Sequence, residues 1–130
     1  TGVSAFLGAQ VHALGGFPSW LFVILVITLV IFLTELTSNT ATTAAFVPIL
    51  AAVATGLGMS VVGLIVPAAL AASCAFMLPV ATPPNAIVFG TGRVTIPEMA
   101  RTGIWLNVVG VIIITLATYL LIIPLLSKGP

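Results

Sequence analysis

Two short stretches of this chain bring together groups that can do chemistry. The first is Thr34-Glu35-Leu36-Thr37-Ser38-Asn39-Thr40-Ala41-Thr42-Thr43, eight polar side chains in ten residues between apolar segments. Ser38, Asn39 and Thr40 carry small hydroxyl and amide groups, and Asn39 can donate and accept at once. Ser38 or Asn39 also suits the N-cap of a following helix, which would leave the first amides of that helix facing the cluster. The second stretch, Pro79-Val80-Ala81-Thr82-Pro83-Pro84-Asn85, interrupts an apolar run. Proline has no N–H, so in helical register Pro83 and Pro84 leave the carbonyls of Pro79 and Val80 without partners, and the break frees Ala81 too. Unpaired carbonyls are costly in hydrocarbon. They suit a hard cation such as Na+, and the C-terminal end of a half-helix adds negative dipole. A helix restarting near Asn85 is expected to turn free amides into the same gap, which suits an anion.

Each stretch also has a plainer reading. The break can be a proline kink satisfied by Thr82 and water, as at isolated prolines such as Pro48, Pro67 and Pro124. Ser38 can be a cap and nothing more. Glu35 reads best as a buried, neutral or amide-paired residue that shapes the turn without touching an ion. Catalysis finds little support: His12 is the only histidine, it lies far from both stretches, and the chain has no Asp. A Ser-His-Asp set or a paired-aspartate site cannot be assembled from these residues. Cys74 is alone, which excludes a disulfide or a thiolate metal site within the chain.

The elements that must position these groups are set by composition. The chain is 130 residues long, 61% hydrophobic and 4% charged, against about 25% charged in soluble domains. Its solvent must be largely lipid. From Leu36 to Gly92 there is no Asp, Glu, Lys, Arg or His, and a crossing needs about 20 residues. The net charge of +1 gives no reason to expect a nucleic-acid partner. No signal peptide is visible, and the opening Thr1-Gly2 reads as a piece of something longer.

Along the chain, Val3, Phe6, Leu7, Val11 and Leu14 form the stripe of an amphipathic helix, giving an interfacial segment over 1–16. Gly15 to Pro18 breaks it, with Ser19 expected as the next N-cap and Trp20 as an interface anchor. Two apolar arms then flank the polar cluster. Arms this short beside a polar tip predict a re-entrant helical hairpin over 17–57, its second arm stopping at the turn Thr55-Gly56-Leu57-Gly58. Val61 to Leu78 reads as a helix of about 27 Å, and with the break it makes a discontinuous transmembrane helix over 61–92. A polar connector, 93–103, holds Arg93, Glu98 and Arg101, with Ile96-Pro97-Glu98 opening a short helix. The last transmembrane helix is expected over 104–126, with Trp105 and Tyr119 near its ends. Two of three basic residues precede that helix and Lys128 follows it, so the connector is expected in the cytoplasm and the C-terminus outside.

Thr34-Glu35-Leu36-Thr37-Ser38-Asn39-Thr40, followed by Met77-Leu78-Pro79-Val80-Ala81-Thr82-Pro83-Pro84-Asn85-Ala86-Ile87-Val88-Phe89-Gly90, resembles the divalent anion/sodium symporter family, which includes sodium-dicarboxylate cotransporters. Thr1-Gly2-Val3-Ser4 and the flanking spans fit as well, so the resemblance covers essentially the whole chain.

The resemblance implies an all-α membrane protein of two inverted repeats, each with a re-entrant hairpin tipped by Ser-Asn-Thr and a broken helix. This chain looks like the C-terminal part of the second repeat. By the same resemblance, one coupling Na+ would be held by Thr34, Thr37, Asn39 and Ala81, several through backbone carbonyls. The substrate carboxylate would meet Ser38, Asn39, Thr40, Thr82 and Pro83. The expected function is sodium-coupled transport of small divalent anions, most simply C4-dicarboxylates such as succinate, by alternating access in the cell membrane. A homodimer is expected, and the rest of the transporter chain is a necessary partner. Some relatives have Val in place of Thr40, and some carry sulfate or tricarboxylates. A channel or a structural membrane subunit without ion coupling is the alternative reading.

Overall fold

The computed structural model describes Gly2, Phe6, Gln10 and residues 16–127. Gly2, Phe6 and Gln10 are helical; the remainder of the expected interfacial segment, with His12, and Lys128 at the other end lie outside the described residues. The described residues are all-α: α1 (Ser19–Thr34), α2 (Asn39–Gly56), α3 (Val61–Ala71), α4 (Pro83–Gly90) and α5 (Ile96–Ala117). α5 continues through a π-helical turn (Thr118–Ile122) into α6 (Ile123–Ser127).

α1 is apolar on every side, and its buried residues Val23, Val26, Ile27, Val30, Ile31 and Thr34 fall three, four and seven positions apart on one face. Pro18 occupies its N-cap without a side-chain bond, and Ser19, expected as the cap, is instead the first helical residue. The buried stripe meets Leu64, Ala68 and Ala71 of α3, Leu50 and Ala54 of α2 and Ile114 of α5. In lipid there is no gain from removing apolar surface from water, so association of these helices rests on close packing and polar contacts. Alanines at positions 54, 68, 71 and 72 permit that approach.

α2 follows α1 after a four-residue tip and is capped by Ser38, whose Oγ accepts from the Ala41 amide at 3.5 Å. It runs through Pro48 and ends where Gly58 takes φ 65° and the Met59 amide reaches back to the Ala54 carbonyl at 2.8 Å. That left-handed position favours glycine. With Asn39–Gly56 and Ile96–Ser127, the described residues contain two helices long and apolar enough to cross a membrane.

Two boundaries differ from the expectations above. α3 ends at Ala71 rather than at Leu78, and the amides of Phe76, Met77 and Leu78 are drawn to another element. The short helix expected at Ile96 proves to be the start of the last helix, which runs 32 residues from Ile96 to Ser127, about 48 Å at 1.5 Å per residue. Its start is fixed by a capping box: the Thr95 hydroxyl accepts from the Glu98 amide, and Glu98 Oε2 accepts from the Thr95 amide at 2.9 Å. The residues joining α4 to this helix therefore reduce to 91–95.

The π-helical turn precedes Pro124, which has no N–H and whose ring would press on the carbonyl four residues back. Widening the turn relieves that contact. Inside α2 and α3, Pro48 and Pro67 are accommodated without ending the helix.

Candidate functional site

The centre of the site is Glu35, 3% exposed at the C-cap of α1. Its Oε1 accepts from the amides of Phe76 at 2.8 Å and Met77 at 3.0 Å, and its Oε2 from Met77 and Leu78, each at 3.1 Å. In a continuous helix these amides would bond the carbonyls of Ala72, Ser73 and Cys74. One side chain therefore replaces three rungs of the helical ladder, so that α3, closed by the i−3 bonds of Ser73 and Cys74 to Leu70 O and Ala71 O, is not resumed across 72–82. The amide-paired reading of Glu35 is the one the geometry bears out.

Of the carbonyls so released, Ala72 O accepts from the Thr34 hydroxyl at 2.9 Å, while Ser73 O and Cys74 O meet no donor among the described residues. Ala75 O would have faced Pro79, which has no donor; Asn85 Nδ2 donates to it at 2.9 Å and to Leu78 O at 3.0 Å. Leu78 O also accepts from the Ala81 amide at 3.1 Å. Among the described residues no donor reaches the carbonyls of Pro79, Val80 or Ala81. The expectation that the double proline frees these oxygens agrees with the structure. A hard cation suits this oxygen-only set.

The anion side requires a correction. α4 begins at Pro83, with Pro83 and Pro84 as its first two residues, so neither position has an N–H. The next amide, Asn85, is taken by its own cap, Thr82 Oγ1, at 3.4 Å. α4 thus presents no free amides to the gap, contrary to the expectation for a helix restarting there. Donors are found instead at the tip before α2. There Ser38 and Thr40 are exposed and Asn39 is half-buried, and the amides of Asn39 and Thr40 meet no acceptor among the described residues.

The remaining predicted residues sort as follows. Asn39 Oδ1 accepts from the Thr34 hydroxyl at 2.8 Å, and the Asn39 amide nitrogen has no acceptor among the described residues. The single Thr34 proton serves Asn39 or Ala72, and the side chain is fully buried. Thr37 donates to the Leu33 carbonyl at 3.1 Å and pairs with the Thr42 hydroxyl. The structure therefore joins Thr34 and Asn39 directly, while the Thr37 side chain turns to Leu33 and Thr42. Among the described residues it makes no hydrogen bond from Ser38, Asn39 or Thr40 to Ala81, Thr82 or Pro83. Those two groups are linked indirectly, through Glu35 and Thr34.

Two residues of α5 complete the site and were missed by the sequence reading. Asn107, fully buried, donates from Nδ2 to Glu35 Oε1 at 2.8 Å. Gly103, one turn earlier on the same face, lies so close to the break that an added Cβ would stand 2.3 Å from Phe76 O and 2.6 Å from Met77 Cα. A lone Asn and a Gly four residues apart in an otherwise apolar span were the signal available.

The comparisons with known proteins agree in one direction. The model of the sodium:sulfate symporter transmembrane region matches residues 1–127. The sodium-dependent dicarboxylate transporter SdcS of Staphylococcus saprophyticus is 45% identical over 127 residues, covering 98% of this chain and 24% of that protein. The protein of the same name from Staphylococcus aureus strain USA300 is 47% identical over 119 residues, covering 92% of this chain and 23% of that protein. The chain spans about a quarter of the length of these relatives.

Proposed function

The chain belongs to the sodium:sulfate symporter transmembrane-region family, and from that premise we propose that it supplies one half-site of a sodium-coupled carrier for small dicarboxylate anions such as succinate. The observation that carries the reading is the separation of the two polar sets. Among the described residues the break offers carbonyls without donors, while the hairpin tip offers the Asn39 and Thr40 amides and the Ser38 and Thr40 hydroxyls without acceptors. A cation and a carboxylate between them would satisfy both, and neither alone would.

In this reading Na+ takes carbonyl oxygens at Ala81 and around Thr34 and Thr37, since the Thr34 hydroxyl is already occupied within the tip. The Asn39 carbonyl is taken by the Thr43 hydroxyl at 2.8 Å, whereas Oδ1 keeps a lone pair beyond its bond from Thr34, so the contribution of Asn39 to the cation runs through the side chain. Ser38, Asn39 and Thr40 donate to the substrate carboxylate, joined by the Thr82 hydroxyl. Pro83 has no donor and contributes its ring as a wall. α1 and α2 form a re-entrant hairpin, α3 to α4 a discontinuous transmembrane helix, and the last helix crosses from a cytoplasmic 91–95 connector to an external end. The exposed apolar face of α4, with Ile87 and Val88, packs against the rest of the carrier, whose other repeat completes the alternating-access site. The carrier works as a homodimer in the cell membrane and performs no bond-making chemistry.

The test is tracer uptake of succinate, citrate and sulfate by the full-length carrier in proteoliposomes, with Na+ or with choline outside. Saturable succinate uptake that requires Na+ is expected. Non-saturating flux independent of Na+ would favour a channel and overturn the reading.

A further inference from the structure

We propose that Asn107, in the last helix, is a positioning residue for the sodium site, acting through Glu35 on the carbonyls of Pro79 to Ala81; this rests on the sodium-coupled reading above. Asn107 is 72 positions from Glu35 in sequence, yet its Nδ2 lies 2.8 Å from Oε1. The same Oε1 holds the Phe76 and Met77 amides. Whatever fixes this oxygen fixes the backbone that enters the break three residues later.

Asn107 is a poor choice for stability alone. Its Oδ1 is buried and has no partner among the described residues, a state that costs about 1–3 kcal/mol for a polar group in general. Ile104, Leu106 and Val108 around it are apolar and exposed, and a leucine at 107 would leave no polar atom unmet. An amide kept at that cost, with one half aimed at Glu35, points to the position of the carboxyl group as what it secures. Gly103 serves the same end by letting the backbone of Phe76 and Met77 lie directly on α5. The last helix thereby becomes the rigid wall against which the ion-binding break is set, although it offers no ligand itself.

The experiment measures sodium-activated succinate uptake by the full-length carrier at matched surface expression. Asn107→Asp puts an acceptor where Glu35 needs a donor, and should raise the half-saturating sodium concentration about tenfold, the scale of one lost hydrogen bond to a buried partner. Asn107→Leu should raise it less, and maximal uptake at saturating sodium should stay within about threefold of normal, as a loss of binding alone requires. Asn107→Gln keeps an amide donor for Glu35 and should stay closer to the normal sodium requirement than Asn107→Asp does. A purely structural role would not move the sodium requirement while leaving maximal uptake in place. Both Asn107→Asp and Asn107→Leu showing the normal sodium requirement, Asn107→Gln raising it more than Asn107→Asp, or failure of both Asn107→Asp and Asn107→Leu to reach the membrane would each overturn the proposal. Wild-type uptake without sodium dependence would instead sink the sodium-coupled reading; normal wild-type behaviour with unmoved variants would sink only this inference.

Discussion

Asn85 Nδ2 donates to the carbonyls of Ala75 and Leu78 at 2.9 and 3.0 Å, closing the break from its far side. Ala75 is the residue whose helical donor would have been Pro79, so a side chain ten residues on does what the proline cannot. Replacing Asn85 by Leu leaves the Ala75 carbonyl unmet and Leu78 O with the Ala81 amide alone, at about 1–3 kcal/mol for the unsatisfied group. Thermal unfolding of the purified carrier should fall by several degrees, and sodium-driven uptake should drop at least tenfold. Unchanged unfolding would show that other donors reach these oxygens.

Gly103 and Gly110 lie on the same helix and should answer an added methyl group differently. At Gly103 a Cβ would stand 2.3 Å from the Phe76 carbonyl oxygen, whose peptide unit is held through its Met77 amide by Glu35. At Gly110 the nearest atom is the tip of the Ile31 side chain, at 3.7 Å. Gly103→Ala should abolish uptake or surface expression, whereas Gly110→Ala should leave both within about twofold of normal, as expected where no overpacking arises. Equal tolerance at both positions would contradict the docking of α5 on the break.

At the hairpin tip the contrast is between Asn39 and Thr37. Asn39→Ala removes the acceptor of the Thr34 hydroxyl and a side-chain donor together. It should weaken apparent affinity for both sodium and succinate by about tenfold or more, both together because linked ligands share the loss. Thr37→Ala keeps the backbone carbonyl and should stay within a few-fold of normal, with a small loss of stability from the unmet Thr42 hydroxyl. Initial uptake rates against each solute decide this; the reverse ranking would mean that the roles at the tip are misassigned.

Thr95 and Ser127 bracket the last helix and its π-helical turn. Single cysteines at these positions, in a cysteine-free background with Cys74→Ala, should react with a membrane-impermeant maleimide from opposite sides of intact cells, Thr95 from within. Labelling of both from outside would reverse the orientation.

Much of this arrangement was legible in the sequence because polar residues and prolines in a lipid-soluble chain must be explained. Pro79, Pro83 and Pro84 fixed where the ladder fails, and Ser38 fixed where α2 begins. The early end of α3 was not legible. Ala72 to Leu78 contains nothing that forbids a helix, and only a carboxyl group from 41 positions away draws its last three amides off. The absence of free donors on α4 could have been deduced, since two prolines at the start of a helix remove them outright. Asn107 and Gly103 stayed hidden because the length of the last helix, rather than its polar exceptions, dominated its reading.

Two prolines at the start of α4 also bear on what the break leaves out. Chloride is the most abundant small anion around most cells, and an ordinary helix N-terminus offers it ready-made donors. Here the ring nitrogens of Pro83 and Pro84 have nothing to offer, and Thr82 has claimed the third amide. A halide reaching the gap would find no free amide on α4, so on the proposed reading any anion, substrate or competitor, must take its amide donors from the hairpin tip.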